Sequence, residues 1–296
     1  IYAPDGEWLS FTYQDHVLNV LGKEGAHDLD QRNIGISVPV HAVTVDHDHP
    51  RNRDGTTFTV LVTRTVNAPK PGSDEINRAY EEGWVGSQGY LKPDGTRQRR
   101  AIAFLGDTLN AAGQKLTEVF IADLPEDVTQ STAAEPIAGS ETRMPAPPQG
   151  TQQRRLTFTQ DRKNPGIQGP RFWVRANADG DSLAFLMQDD AGKVQIYAVS
   201  PNGGPIRQIT DNAFSVASAF SWSPDGKYIA YAGDDSIFVT EAATGVTTRV
   251  APQDAVRPVL PLAAVFSPDG RSIAYLRVVK SDAGEHNQIF VTDLAL

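Results

Sequence analysis

A nine-residue motif recurs along this chain, and its spacing limits the possible fold more than any other feature of the sequence. Copies begin at Asn177, Ser223 and Ser267, and the last two read Ser-Pro-Asp-Gly followed by an apolar stretch ending in Ile-Ala-Tyr. These three starts are 46 and then 44 residues apart, and a fourth copy begins at Ala3. A period of this length is typical of one four-stranded sheet per repeat in a β-propeller.

The chemistry of the motif explains why it makes a tight turn before a strand. Proline presets φ for the second position of the turn, aspartate bonds its own backbone, and glycine accepts the left-handed conformation. The stretch that follows, such as Tyr228-Ile-Ala-Tyr231, is apolar on both faces. Sheets stacked face to face around an axis require such strands, so we predict an all-β fold, a β-propeller of four-stranded blades.

Later strands of the repeat are also visible. A second strand signature follows each later copy of the motif, at Gln195–Val199, Ser236–Thr240 and Gln288–Thr292. An isolated relative at Glu118–Ala122 predicts a further blade whose first hairpin, Ala101 to Asp107, lacks the Pro-Asp-Gly turn. Closing strands are predicted at Ile206–Thr210 and Thr247–Val250, with an unattached copy at Arg154–Thr157. The match Lys92-Pro-Asp-Gly95 precedes polar residues and is not expected to mark a blade.

The repeat resembles a known family. The order Arg-Leu-Thr, Ser-Pro-Asp-Gly-x-x-Ile-Ala-Tyr and Ile-Tyr is similar to the TolB-type, WD40-like propeller repeat. More narrowly, Gly166–Pro170, Ala184–Gly192 and Pro71–Trp84 resemble the uncharacterised bacterial YidR-like group, itself distantly similar to oligogalacturonate lyase. This resemblance implies six to seven blades in an intact propeller. We therefore expect residues 1–296 to form a single propeller domain that lacks N-terminal blades.

Composition excludes several classes of partner and chemistry. The chain has 27 basic and 36 acidic residues and a net charge of −9, which disfavours a nucleic-acid partner. No apolar run approaches the roughly 20 residues that a membrane-spanning helix needs. Cysteine is absent, which removes disulfides and thiolate sites. The compartment stays open between bacterial periplasm and cytoplasm, since both hold cysteine-free proteins.

Three segments are longer than the connections that a minimal blade needs: residues 15–57, 67–98 and 130–170. Long connections on a rigid scaffold commonly carry binding and catalytic residues. The third segment is rich in Pro, Ala, Ser and Thr, which predicts a flexible surface connection. Candidate functional residues therefore come from the first two.

The first insertion contains Asp46-His-Asp-His49. In an extended chain His47 and His49 share a face and could ligate one divalent cation through their imidazole nitrogens. The alternative is a polar turn that precedes a strand. The resemblance to the lyase implies a histidine-rich metal site, so a divalent metal is the one cofactor considered; otherwise none is expected.

The second insertion predicts a short helix. Ser73 would cap its N-terminus, Ile76 and Tyr80 would form its buried stripe, and Gly83 would end it. Ligand-binding residues are predicted here: Asp74, Glu75, Arg78, Glu81, Glu82 and Trp84. They would form either a rim that offers carboxylates and an aromatic surface to a sugar or peptide, or a helix that merely packs against a blade.

Two functions follow as hypotheses. The first is a non-catalytic binding module for a protein or an envelope polymer, with the protein or polysaccharide ligand at a propeller face, because no nucleophile elbow, phosphate loop or zinc-protease motif is present. The second is a divalent-metal-dependent lyase or hydrolase that acts on an acidic oligosaccharide.

Overall fold

The computed structural model describes residues 1–16, 19–20, 31–50, 52–140, 143–170, 173–282 and 284–294. Within these ranges the fold is all-β, and helical backbone is confined to His16, Asn19 and Val20. None of the helical segments described is long and apolar enough to cross a membrane. The strands form successive antiparallel units in chain order.

Unit 1 spans the first long connection, residues 15–57, and pairs with unit 2. Its strands are β1 (Leu9–Gln14), β2 (Arg32–Val38) and β3 (Phe58–Leu61). The strands of unit 2 are β4 (Arg78–Trp84), β7 (Ala101–Leu109), β8 (Lys115–Asp123) and β9 (Gln152–Arg155), and a separate hairpin consists of β5 (Tyr90–Leu91) and β6 (Arg97–Gln98). A single parallel pair, Arg32 with Arg78, joins units 1 and 2 into one seven-stranded sheet.

The remaining units follow the repeat closely, and two of them have four strands each. Unit 3 contains β10 (Arg175–Ala176), β11 (Leu183–Gln188), β12 (Val194–Val199) and β13 (Arg207–Gln208). Unit 4 contains β14 (Ser221–Trp222), β15 (Tyr228–Gly233), β16 (Ser236–Glu241) and β17 (Thr247–Arg249). Unit 5 contains β18 (Val265–Phe266), β19 (Ser272–Ser281) and β20 (Gly284–Asp293).

The repeated turns adopt one geometry. In unit 4 the amide of Ser223 donates to the Tyr228 carbonyl at 2.8 Å, and the amide of Gly226 donates to the Ser223 carbonyl at 2.9 Å. The copies at Ala3, Asn177 and Ser267 make the same two bonds. The turn glycine has a φ of 70° in unit 4, a left-handed value that glycine adopts without steric cost. The predicted turns are confirmed.

Successive units stack face to face, so central strands are buried on both sides. In β15, Ile229 and Tyr231 pack in one cluster with Leu186 of unit 3. The alternating residues Ala230 and Ala232 pack in the next cluster, which includes residues of unit 5. Two equivalent clusters lie between units 1 and 2 and between units 2 and 3. The strands apolar on both faces are therefore explained.

The predicted helix between Ser73 and Gly83 is wrong. Ser73 and Asp74 lie in a turn, and Arg78–Trp84 is strand β4, which pairs with β7. A lone helix of this length is marginal, and the backbone groups of β7 offer it a complete set of hydrogen-bond partners. Ile76 is buried as expected, but within a sheet unit.

The first two predicted insertions contain strands of the units themselves. Residues 15–57 include β2, and residues 67–98 include β4. Strand β4 is the first strand of unit 2, which the sequence pattern did not predict. Lys92-Pro-Asp-Gly95 does form a tight turn, but it joins the two-residue strands β5 and β6. This small hairpin, residues 90–98, lies within the connection from β4 to β7.

Candidate functional site

Four of the predicted ligand-binding residues lie on strand β4. The strand carries a bulge between Tyr80 and Gly83, and Glu81 in that bulge has a φ of 55°. A left-handed non-glycine residue costs energy and is often found at functional sites. The bulge re-aims the side chains that follow it, because two residues then oppose one on the partner strand.

Glu82 sits in this bulge and is buried. Its carboxylate accepts a hydrogen bond from Thr12 Oγ1 at 3.2 Å, and its carbonyl lies 3.4 Å from Arg175 Nη1. Burial lowers the pKa of Arg175, whereas the carboxylates of Glu81 and Glu82 act in the opposite direction. Opposite charges therefore lie near one another between the first strands of units 2 and 3.

Asp74 and Glu75 do not join the other predicted residues. Asp74 lies 3.8 Å from Arg155, and Glu75 accepts a hydrogen bond from the amide of Lys70 at 2.8 Å. Trp84 lies at the opposite end of β4, which is about 20 Å long by the strand rise. The six residues therefore do not form one cluster: two precede β4, and four are spread along it.

His47 and His49 of the first insertion lie in an exposed loop. His47 Nε2 is 3.3 Å from the Asp54 carboxylate, and both side chains are more than half exposed. In the described part of the chain no group of three or more His, Cys, Asp or Glu side chains could hold a metal ion. A metal at His47 and His49 stays a prediction.

A cavity of about 320 Å³ opens where Trp84 ends strand β4. We call it the Trp84 cavity. Its lining combines the first turn of unit 1, the end of β4 and the basic stretch before β7: Ala3, Pro4, Asp5, Trp84, Val85, Gly86, Ser87, Gln88, Arg97, Arg99, Arg100 and Ala101. Aromatic, hydroxyl, amide and guanidinium groups thus converge on one concave surface.

One wall of the cavity is built from a tightly paired arginine. Arg100 Nη2 lies 2.7 Å from the Asp5 carboxylate and 3.0 Å from that of Glu7, and its guanidinium stacks over Trp8. Burial raises the pKa of Asp5, but the amide of Glu7 and the guanidinium of Arg100 together hold this pKa below its usual range. Asp5 is therefore ionised and neutralises Arg100.

Trp84 is held by contacts with the first turn of unit 1. Its indole Nε1 donates to the carbonyl of Ile1 at 3.0 Å, and its ring meets Trp8 edge to face at 6.5 Å. The ring is half-buried, so part of it is accessible from the cavity. Such an aromatic surface suits the apolar face of a ligand ring.

Arg97 and Arg99 supply the weakly paired positive charge of the cavity. Arg97 Nη1 lies 3.3 Å from the Gln88 carbonyl, which is neutral. Arg99 lies 3.9 Å from Glu126, and both of these side chains are more than three-quarters exposed. An exposed ion pair at that distance contributes little, so both guanidinium groups can bind an anion.

The basic stretch is positioned by a buried network. The hydroxyl of Tyr90 donates to the carboxylate of Asp123 at 2.9 Å, and Arg154 Nη2 donates to the Tyr90 oxygen at 2.6 Å. Burial, together with the charge of Asp123, raises the pKa of Tyr90, so its hydroxyl remains protonated. Gln98 Nε2 also donates to the Leu124 carbonyl at 2.8 Å. The hairpin is thus tied to the end of β8.

Sequence reasoning identified Trp84 but not the arginines. The signal was present as Arg97-Gln-Arg-Arg100, which by itself is indistinguishable from the solvated start of a strand. Its proximity to Ala3 and Asp5, more than 90 residues away, follows only from the stacking of unit 1 on unit 2.

The described part of the chain is all-β, and its structural neighbours are propeller-type proteins. Oligogalacturonate lyase in complex with manganese aligns over 98% of this chain and 63% of its own, with a TM-score of 0.53 and 14% identity. TolB from Acinetobacter baumannii aligns over 98% of this chain and 53% of its own, with a TM-score of 0.47 and 16% identity. The lyase comparison shows a shared fold.

Sequence comparison gives a nearer relative. The uncharacterized protein YidR of Escherichia coli (strain K12) is 43% identical over 99% of this chain. The chain spans 65% of the length of YidR, which is less than two thirds. Residues 1–53 match the family described as protein of unknown function, DUF3748. The resemblance to the YidR-like proteins is confirmed.

Proposed function

We propose that this chain is a binding module that holds an acidic oligosaccharide in the Trp84 cavity. The observation that carries the proposal is the convergence of one half-buried indole with Arg97 and Arg99 in a cavity of about 320 Å³. Guanidinium groups bind carboxylates in planar, bidentate geometry, and an indole face packs on the apolar face of a sugar ring. Ser87 and Gln88 add hydrogen-bonding groups for hydroxyls.

The charge distribution supports an anionic ligand specifically. The chain as a whole has a net charge of −9, so its general field repels anions. A cavity that nevertheless presents two weakly paired arginines favours an anion only at short range. The affinity should therefore depend on contact geometry, and it should fall as salt screens the guanidinium charges.

The scaffold proposed for this module is a single propeller. The described units stack in chain order and share apolar clusters with their neighbours, as blades do. Four-stranded sheets in units 3 and 4 support one blade per repeat. The cavity then lies between the first two blades, at the end where the repeated turns are found.

Calorimetric titration tests the proposal. The probes are a galacturonate trimer and the matched neutral trimer, in which each carboxylate is reduced to an alcohol. We expect the acidic trimer to bind, and Arg99→Ala to weaken it about 10-fold or more, because a charge-assisted hydrogen bond contributes roughly 1.5–3 kcal/mol. Arg271→Ala is the matched control, since Arg271 is an exposed arginine after the turn of unit 5.

Two outcomes would overturn this proposal. In the first, the neutral trimer binds as tightly as the acidic trimer. In the second, the Arg99→Ala variant binds the acidic trimer as tightly as the Arg271→Ala variant does. The same samples also test the lyase hypothesis, because cleavage by elimination creates an unsaturated uronate that is followed by its ultraviolet absorbance. Turnover of the trimer would replace the binding proposal with a catalytic one.

A further inference from the structure

A second cavity adjoins the Trp84 cavity and has the opposite charge. Its volume is about 450 Å³, and we call it the Asp179 cavity. It is lined by Ser87, Gln88, Leu91, Arg97, Ala178, Asp179, Asp181 and Asn202. Ser87, Gln88 and Arg97 also line the Trp84 cavity, so the two cavities share one wall.

The relative position of the two cavities is fixed by backbone contacts. The amide of Ser87 donates to the carbonyl of Ala178 at 2.7 Å, which joins the end of β4 to the turn of unit 3. A Cβ atom added at Gly180 would overlap the carbonyl oxygen of Gly89, and one added at Gly86 would lie 2.7 Å from the Cα of Gly180. The backbones therefore touch, and the spacing between the cavities is rigid.

The far end of the groove is also held in place. Asn202 Nδ2 donates to the Leu91 carbonyl at 2.9 Å, so unit 3 contacts the small hairpin directly. Asp181 accepts a hydrogen bond from Asn177 Nδ2 at 2.7 Å, which orients its carboxylate. Asp179 and Asp181 are both exposed.

The groove thus runs from Arg99 at one end, past Arg97 in the shared wall, to the carboxylates at the other end. A uniformly acidic chain that enters the Trp84 cavity would meet Asp179 and Asp181 one step further on. Like charges at contact distance repel one another, and they do so more strongly near a protein surface than in bulk water because the effective dielectric constant is lower there. A ligand with a positive charge at that position converts the repulsion into attraction.

We infer that the groove binds a zwitterionic saccharide in which a uronate is followed by an amino sugar with a free, protonated amine. The uronate carboxylate contacts Arg97 and Arg99, and the ammonium group contacts Asp179 and Asp181. Leu91, which is 56% exposed, provides an apolar surface beside the second ring. This inference rests on the proposed function, since it assigns the second half of the same site.

The experiment uses a uronate–glucosamine disaccharide with a free amine and its N-acetylated form. The two probes differ in the charge at one nitrogen. We expect the wild-type chain to bind the free amine about 10-fold more tightly. In the double variant Asp179→Asn, Asp181→Asn the difference should fall below twofold, because asparagine keeps the shape and the acceptor oxygen but not the charge. Asp282→Asn, an exposed aspartate in the turn between β19 and β20, is the matched control.

The outcomes separate this inference from the proposed function. Equal affinity of the wild-type chain for the two disaccharides, alongside binding of the galacturonate trimer that depends on Arg99, would overturn only the zwitterion inference. An amine preference that survives in the double variant would also overturn it. Failure of every uronate probe to bind would overturn both proposals.

Discussion

Replacing Glu118 by glutamine should destabilise the chain strongly, although the two side chains have nearly the same shape. Glu118 lies on β8 and is fully buried. Its carboxylate accepts four hydrogen bonds: from Arg155 Nη2 at 2.9 Å, Thr157 Oγ1 at 2.5 Å, the Thr159 amide at 2.8 Å and Thr159 Oγ1 at 2.8 Å. This one side chain therefore ties β8 to β9 and to the segment after it.

A glutamine cannot replace all of those interactions. Its oxygen could keep the three donors at Oε1, but its amide nitrogen would remove the acceptor of the Thr157 hydroxyl, and the Arg155 guanidinium, whose side chain is 6% exposed, would lose its buried counter-ion. Removing one partner of a buried pair costs about 3–5 kcal/mol, and glutamine keeps one acceptor, so we expect a loss of roughly 2–4 kcal/mol in the free energy of unfolding. At about 2–4 °C per kcal/mol, the melting temperature should fall by roughly 4–16 °C.

The equivalent residue of unit 3 makes the comparison sharper. Gln195 is also fully buried, but its Nε2 donates to the carbonyls of Asn212 at 3.0 Å and Phe214 at 3.3 Å. Glutamine is therefore favoured at position 195, because its amide nitrogen donates to backbone carbonyls. Gln195→Glu should destabilise the chain for the opposite reason, since a carboxylate would face those two acceptors.

Thermal denaturation followed by circular dichroism measures the effect. Glu126→Gln is the control, because the Glu126 side chain is 85% exposed. The melting temperature of this variant should match that of the wild type within about 2 °C. Adding Arg155→Met to Glu118→Gln should recover part of the loss by removing the unpaired buried charge. The reasoning is refuted if Glu118→Gln melts within 2 °C of the wild type.

Three further predictions concern other polar contacts. Tyr90→Phe removes the hydroxyl that donates to the buried carboxylate of Asp123. We expect the free energy of unfolding in urea to fall by about 1–3 kcal/mol and uronate binding to weaken. An unchanged denaturation midpoint would contradict this prediction. Arg277 is 2% exposed and donates hydrogen bonds to four backbone carbonyls. Arg277→Ala should therefore lower the free energy of unfolding by about 2–4 kcal/mol. Urea denaturation identical to that of the wild type would disprove this. The Ser223 hydroxyl lowers the pKa of Asp225, so its stabilisation is present above pH 3.8 and is lost as pH falls through the lowered pKa. The melting-temperature difference between wild type and Ser223→Ala should therefore shrink below pH 3.8, and a difference independent of pH would argue against this contact.

The turns and central strands could be predicted from sequence because their causes are local. Proline, aspartate and glycine determine the turn within four residues, and strands apolar on both faces require cover on both sides. The Ser223 copy shows this directly, since its hydrogen bonds lie within six residues of chain. The third strands of units 2, 3 and 4 were predictable for the same reason.

Strand β4 could not be predicted in this way. Ser73, Asp74 and Glu75 have the residue types that begin a helix, so local preference pointed to the wrong element. The hydrogen-bond partners that make Arg78–Trp84 a strand come from β7, and Arg78 pairs with Asp107. Non-local hydrogen bonding therefore overrode a weak local preference.

By itself the sequence determined the class of the chain: an all-β repeat with tight turns, strands buried on both faces and no thiol chemistry. Only the tertiary structure decided where the functional groups meet. The stacking of units 1, 2 and 3 places Trp84, Arg99 and Asp179 along one groove, although the first and last of these are 95 residues apart. Turn geometry is encoded within a few residues. A groove depends instead on contacts between units that are distant in sequence, and no local pattern predicts those contacts.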